Sequence, residues 1–341
     1  MEKVLTGLDR LARKAHPWVL GNRIGIVTNP TGITSDFRTT VEVGASLEGT
    51  KLTALFGCEH GLYGQHQAGV KVDHEVDPVT GVVVHSLYGE TRKPTAEMLE
   101  QVDTVIFDIQ DLGIRFYTYQ STLMYVMQAC AEHGKRLLVL DRPNPLGGVR
   151  VEGGMLKPGY ESMVGVMPML TRTGLTLGEL ALYMNDRGAV GCELDVVKMS
   201  GWRRTMEFTD TGLPWMLPSP NVPTLATVRL YAGTCLFEGT NVSEGRGTTI
   251  PFEWIGAPWM RHRELAEKFN RRGLPGVHAH PVYMTPTFSK HQGRVCAGVR
   301  LFVTDAARLN AAEAGLCLLH DVIALHPDEF EWLKPPEGRK R

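Results

Sequence analysis

The sequence predicts an α/β protein, with a Rossmann-like, mainly parallel sheet domain followed by a second, smaller α+β domain. Three observations carry this prediction. Short β-branched apolar runs recur through the first half of the chain, helical patterns separate them, and a glycine- and proline-dense second half breaks the alternation.

The strands come in order. Arg23 to Thr28 reads RIGIVT, short and apolar enough for a buried parallel strand. Leu52 to Phe56 is the second strand and Gly81 to His85 the third. Asp103 to Ile109 is the fourth, Arg136 to Leu140 the fifth, and Glu193 to Val197 a sixth. Helices are expected over Asp36 to Leu47, from Pro94 through Glu100, and over Tyr119 to His133, the last closed by Gly134. Thr176 opens another, with Glu179 at capping-box spacing. The second half offers strands near Val277 to Tyr283 and Val295 to Thr304, then a helix from Ala307 to Leu325. A boundary near Trp215 gives domains of residues 1–215 and 216–341.

Bulk composition narrows the function. A formal net charge of -1 over 341 residues argues against an electrostatic grip on nucleic acid or on an anionic membrane. No stretch is long and apolar enough to span a bilayer, and the N-terminus lacks the apolar core of a signal peptide, so a cytoplasmic location is expected. The six cysteines are scattered without a CxxC pair, which fits a reducing compartment.

Open parallel sheets bind ligands at the carboxyl ends of their strands. Four such ends carry polar side chains beside glycine or proline: Asn29-Pro30, Cys58-Glu59-His60-Gly61, the Asp108, Gln110, Asp111 and Arg115 group, and Asp141-Arg142-Pro143-Asn144-Pro145. Taken singly, the Asn-Pro pairs read as turn formers, Asp108 as a helix cap, Arg115 as a surface partner of Asp111, and His60 as a structural histidine. Taken together they read as one ligand crevice. Glu59 is the sharpest candidate, because a carboxyl partly withdrawn from water is suited to act as a general acid. A second constellation runs from Phe237 to Thr249 and holds Glu238, Asn241, Glu244 and Arg246 among three glycines. It does not fit a phosphate loop, and we read it as a ligand loop. His60, His66, His74 and His85 show no metal-ligand spacing, so neither a metal nor another cofactor is expected.

These motifs resemble those of the exo-β-N-acetylmuramidases, glycoside hydrolase family 171. The resemblance rests on Phe56-Gly57-Cys58-Glu59-His60-Gly61, the stretch Asp108 to Tyr119, Leu140 to Pro145, Pro218-Ser219-Pro220-Asn221 and Glu238 to Thr248. It departs from the family pattern at Cys58, where proline is usual, and at Thr173, where histidine is expected. The resemblance implies an active site in a cleft between two domains and release of N-acetylmuramic acid from non-reducing ends of peptidoglycan fragments. It puts the catalytic acid on Glu59, beside His60, with Asp111 and Glu244 among the candidates for the second group that glycoside hydrolysis requires. Asp108, Glu152 and Glu238 are further candidates. Substrate contacts are expected from Asn29, Asp108, Tyr117, Asn144, Asn221, Glu238 and Asn241. The lactyl carboxylate of the sugar calls for an arginine, from among Arg115, Arg142 and Arg246. Two other readings remain open at this point: a metal-dependent hydrolase using His60, His66 and the aspartates, and a module that binds muropeptides without cleaving them.

Overall fold

A computed structural model describes residues 3–59, 61–64, 75–89 and 91–334. His60, His66 and His74 lie outside the described residues.

In chain order the elements are α1 (Gly7–Arg13), β1 (Arg23–Thr28), α2 (Thr40–Ser46), β2 (Lys51–Gly57), β3 (Glu75–Val76), β4 (Val83–Ser86), α3 (Ala96–Leu99), β5 (Thr104–Asp108), α4 (Tyr119–Glu132), β6 (Arg136–Leu140), α5 (Leu177–Arg187), β7 (Glu193–Val197), α6 (Leu225–Thr234), β8 (Trp254–Ala257), α7 (His262–Asn270), β9 (Val277–Met284), β10 (Cys296–Val303) and α8 (Ala311–Leu325). The described residues of Met1–Arg150, Ser162–Met167 and Gly174–Pro220 form one compact unit, and those of Val151–Glu161, Pro168–Thr173 and Asn221–Arg341 form another. Among the described residues, no helix is long and apolar enough to cross a membrane.

The first unit holds a sheet in the order β3-β4-β2-β1-β5-β6-β7. Every neighbouring pair is parallel except β3 and β4. Counting the parallel strands alone along the chain, the order is third, second, first, fourth, fifth, sixth, the arrangement of a Rossmann fold. The strands are apolar on both faces, as a sheet covered on both sides requires. On one face Ile24, Ile26, Leu55, Ile106, Leu138 and Leu140 pack with Leu8 and Leu11 of α1 and Val41 and Val43 of α2 in one buried cluster. Each such side chain contributes roughly 1.5–3 kcal/mol when fully removed from water. The second unit holds a three-stranded antiparallel sheet in the order β8-β10-β9, with α6, α7 and α8. The α/β expectation holds in both parts.

Threonine starts most of the helices. Thr6, Thr39, Thr95, Thr176 and Thr224 each accept the amide of the third helical residue of α1, α2, α3, α5 and α6. A cap of this kind stabilises its helix by about 1 kcal/mol. Thr118, at the start of α4, is helical in backbone (φ -67, ψ -16) and makes no such bond.

Some elements differ from the sequence expectation. The helix expected from Asp36 starts at Thr40 instead. Asp36 is bonded by the Thr34 hydroxyl, Phe37 turns through a positive φ of 70, and Thr39 with Glu42 forms the capping box. The helix expected from Ala307 starts at Ala311, where Asn310 caps it. Elements α1, β3, α6, α7 and β8 were not expected.

Candidate active site

The order of the parallel strands reverses between β1 and β5, and the loops after these strands are where a ligand crevice belongs. The protein has filled this position from within. Asp108, fully buried at the end of β5, receives Arg142 Nε at 2.5 Å and Nη2 at 2.9 Å, and the Thr40 hydroxyl at 2.5 Å. Arg142 Nη2 also reaches the carbonyl of Ile33 at 3.1 Å. Both members of the pair are thus committed internally, Arg142 through the two-pronged geometry a guanidinium uses on a carboxylate. Above them lies a cavity of about 20 Å³, walled by Thr31, Ile33, Gln110, Phe208 and Trp215 among others. That is room for about one water.

The neighbouring strand ends remain within the same unit. The Asn29 side-chain oxygen closes a turn by accepting the Thr31 amide at 3.0 Å and hydroxyl at 2.5 Å, while its amide faces the Tyr119 hydroxyl. Thr31 in turn accepts the amide of Gln110 at 2.8 Å. The Asn144 side-chain oxygen accepts the amide of Leu146, and its Nδ2 donates to the carbonyl of Leu175. Gly113, at a positive φ of 69, lets Asn144 lie so close that a Cβ there would stand 2.1 Å from its Nδ2. Asp141 accepts the Gly178 amide near the start of α5 at 2.7 Å. Burial pushes its carboxyl up to about 6, against that hydrogen bond.

Glu59 follows β2 and is half-buried. The Thr118 hydroxyl donates to its Oε2 at 3.0 Å. The Tyr119 hydroxyl lies 2.8 Å from the Pro218 carbonyl and 3.3 Å from the Glu59 carbonyl. Tyr117 meets Tyr119 edge-on, with centroids 4.9 Å apart. Burial pushes the Cys58 thiol well above its ordinary range, which leaves it protonated beside Glu59. One residue further along α4, Gln120 Nε2 donates to Asp111 Oδ2 at 2.9 Å, and the Gly113 amide adds a bond of 2.6 Å. Asp111 is 5% exposed, its Oδ1 has no partner among the described residues, and burial raises it to about 6. Arg115 is buried with its guanidinium over the Phe116 ring.

In the second unit, the loop of Glu238 to Thr249 is held by charge. Arg246 Nη2 meets Glu238 at 2.6 Å and its Nε meets Glu244 at 3.3 Å, while its guanidinium sits over Phe252. Glu244 is 2% exposed and also receives Lys290 at 2.8 Å. Lys290 Nζ donates as well to the carbonyls of Phe237 (2.8 Å) and Val242 (3.0 Å). Ser289 and His291, on either side of Lys290, both adopt positive φ, a conformation that costs energy in residues with a side chain. Asn241 is stitched by its amide to the Glu329 carbonyl and by its oxygen to the Glu331 amide. Glu152 pairs with Arg172 at 2.6 Å and accepts the Ala311 and Ala312 amides at the start of α8. Asn221 is buried at the start of the unit's main segment.

Of the carboxyls flagged from sequence, Asp108, Asp111, Asp141, Glu152 and Glu244 are all buried, and Glu59 and Glu238 reach solvent. Sequence reading missed Thr118, Thr40, Gln120 and Lys290. Thr118 stands inside the quoted motif, yet nothing in the sequence says that its hydroxyl leaves the helix for Glu59. Lys290 lies 46 residues from Glu244, with no local signal.

The N-terminal family model of the exo-beta-N-acetylmuramidase NamZ matches residues 24–226, and its C-terminal model matches residues 229–340. A peptidoglycan beta-N-acetylmuramidase NamZ of Bacillus subtilis (strain 168) is 49% identical over 331 residues, covering 97% of this chain and 80% of that protein. A crystal structure of a DUF1343 family protein from Bacteroides fragilis NCTC 9343 is 37% identical, with a TM-score of 0.89 over 96% of this chain and 84% of that one. A second from the same organism is 30% identical, with a TM-score of 0.70 over 92% and 79%. Two family models that together span nearly the whole chain, and a relative sharing half its residues, show that this protein belongs to the NamZ exo-β-N-acetylmuramidase family.

Proposed function

We propose that this enzyme hydrolyses the β-glycosidic bond that joins a terminal N-acetylmuramic acid to the rest of a peptidoglycan fragment, with Glu59 as the general acid. The observation that carries the assignment is the state of Glu59. It is the one flagged carboxyl of its unit that reaches solvent, and a hydroxyl from α4 fixes its direction. Glycoside hydrolysis needs a proton on the departing oxygen, and Glu59 is set to deliver it.

The second role need not fall to a neighbouring side chain. Asp108, Asp111 and Asp141 are buried and hydrogen-bonded, which disfavours any of them as a group that touches the anomeric carbon. The 2-acetamido oxygen of the substrate can then attack that carbon internally, and water opens the resulting ring with net retention. Release of the β-anomer, followed by proton NMR in the first seconds of turnover, supports this route. Release of the α-anomer overturns it.

A chromogenic β-N-acetylmuraminide tests the main assignment. Wild-type enzyme is expected to turn it over, and on a muramyl disaccharide, whose sugar leaving group needs a proton where a phenol does not, Glu59→Gln is expected to lose about 10²–10⁴-fold in kcat while still binding the sugar. Wild-type rates in that variant would remove Glu59 from the mechanism. Tight binding by the wild type without turnover would favour a binding module. The metal-dependent alternative predicts loss of activity with chelator. Among the described residues no group of three His, Cys, Asp or Glu side chains could hold an ion. Five of the six cysteines are buried as thiols, which suits a reducing compartment. We assign the enzyme to the cytoplasm, acting on internalised wall fragments, and its recovery from the culture medium or cell envelope fraction would refute that.

A further inference from the structure

We infer that Thr118 is a positioning residue that aims the Glu59 carboxyl, and that Tyr119 fixes the main chain of the same residue. The inference rests on the reading of Glu59 as the acid and adds a device that sets it.

Thr118 is an exception among the threonines that start helices. Six helices have threonine at their N-terminal boundary, and five of these threonines use the side chain to accept a helix amide. Thr118 does not. Its backbone is already helical, its hydroxyl makes no cap bond, and it donates instead to Glu59 Oε2 at 3.0 Å. The helix that forgoes this support is α4, 14 residues long and more than half buried. Its first turn therefore gives up local stability, and the hydroxyl it frees lands on the carboxyl proposed as the acid.

The next residue acts on the same target. The single proton of the Tyr119 hydroxyl is shared between the carbonyls of Pro218 and Glu59. Tyr119 is 2% exposed and wedged edge-on against Tyr117, so its ring has no freedom to carry the hydroxyl elsewhere. Glu59 is thus held at two points, side chain and main chain, by consecutive residues of a rigid element. Glu59 itself belongs to a loop between glycines, where backbone freedom is greatest. A glutamate side chain has three rotatable torsions, and a proton donor misplaced by about 1 Å can cost on the order of 10²-fold in rate. A clamp from α4 answers that requirement.

The closing experiment compares Thr118→Val, Thr118→Ser, Tyr119→Phe and Thr176→Val, with Glu59→Gln alongside. Thr118→Val keeps the shape and removes the donor. It is expected to lower kcat by about 10- to 100-fold with KM within about twofold, and to leave the thermal midpoint near the wild-type value because no cap is lost. Thr118→Ser should restore most of kcat. Tyr119→Phe should lower kcat in the same direction. Thr176→Val removes a true cap and should lower the thermal midpoint while kcat stays at the wild-type value. Wild-type kcat in Thr118→Val, or a fall in its midpoint as large as that of Thr176→Val, overturns the clamp. Wild-type kcat in Glu59→Gln overturns the underlying reading instead, so the two failures are told apart.

Discussion

At the scale of single residues, the most consequential contact is the one between Asp108 and Arg142. Both side chains are removed from water, and each satisfies the other. Arg142→Met would strand a carboxylate whose remaining donor is the Thr40 hydroxyl. Breaking a buried pair from one side costs about 3–5 kcal/mol. Urea unfolding should register a loss of that size, and the double variant Asp108→Leu/Arg142→Met should recover much of it. A loss below about 1 kcal/mol in the single variant would contradict the burial argument. The sequence makes both residues visible as polar groups at strand ends, which is why both read as ligand contacts. What it does not reveal is that they meet each other across 34 positions. Polar residues at a crevice have two ways to be satisfied, by a ligand or by the protein, and only coordinates distinguish them. Asn144 makes the same point, since its amide group is spent on the backbone of its own loops. Glu59 stands out in the sequence as a carboxyl among glycines, but the hydroxyl that meets it comes from a helix start 59 residues away.

At the scale of elements, α6 and α8 cross at glycines. A Cβ on Gly233 would stand 2.0 Å from the Ala311 carbonyl oxygen, and one on Gly315 would stand 2.3 Å from Gly233 Cα. Backbones in contact leave no room for a methyl group. Gly315→Ala should therefore destabilise the enzyme by about 1–3 kcal/mol or more, despite alanine's better helix propensity. An unchanged thermal midpoint would refute the crossing. The start of α8 is also held by Glu152, whose carboxylate accepts two of its free amides. That contact explains why a carboxyl flagged for catalysis is buried. The parallel sheet was legible because each strand is a continuous apolar run, and because the intervening helices bring their own caps. The second unit was harder to read. Strand β8 is only four residues, and its partner β10 lies some forty residues on. Helix α6 is apolar nearly all round, so its periodicity is weak, and α7, which buries only Leu265, Ala266 and Phe269, has few apolar positions to mark its face.

For the molecule as a whole, buried carboxyls set how stability follows pH. Burial raises Asp111 and Asp141 from an ordinary value of 3.8 to about 6. Between these values the folded chain keeps protons that the unfolded chain has released. Their stabilising effect is therefore complete below about pH 4 and is lost as pH rises through 6, by roughly 2–3 kcal/mol for each group. Asp103 behaves oppositely. Hydrogen bonding to Arg23 holds it at about 2, so its contribution is present above pH 4 and is lost as pH falls through 2. The combined effect of the three peaks near pH 4. Asp111→Asn should flatten the decline between pH 4 and 6 in denaturant titrations, and an unchanged slope would show that Asp111 titrates normally.

The water-sized void beneath Trp215 carries a practical corollary. One indole helps to roof the strand ends where this architecture ordinarily receives a nucleotide, and it packs edge-on against Phe208. Trp215→Gly would leave a hollow shaped like a bicyclic ring beside Arg142. Free indole dissolved in the buffer should lodge there and restore the lost heat resistance, giving the protein chemist a removable wall for a recess that the chain lines with its own side chain.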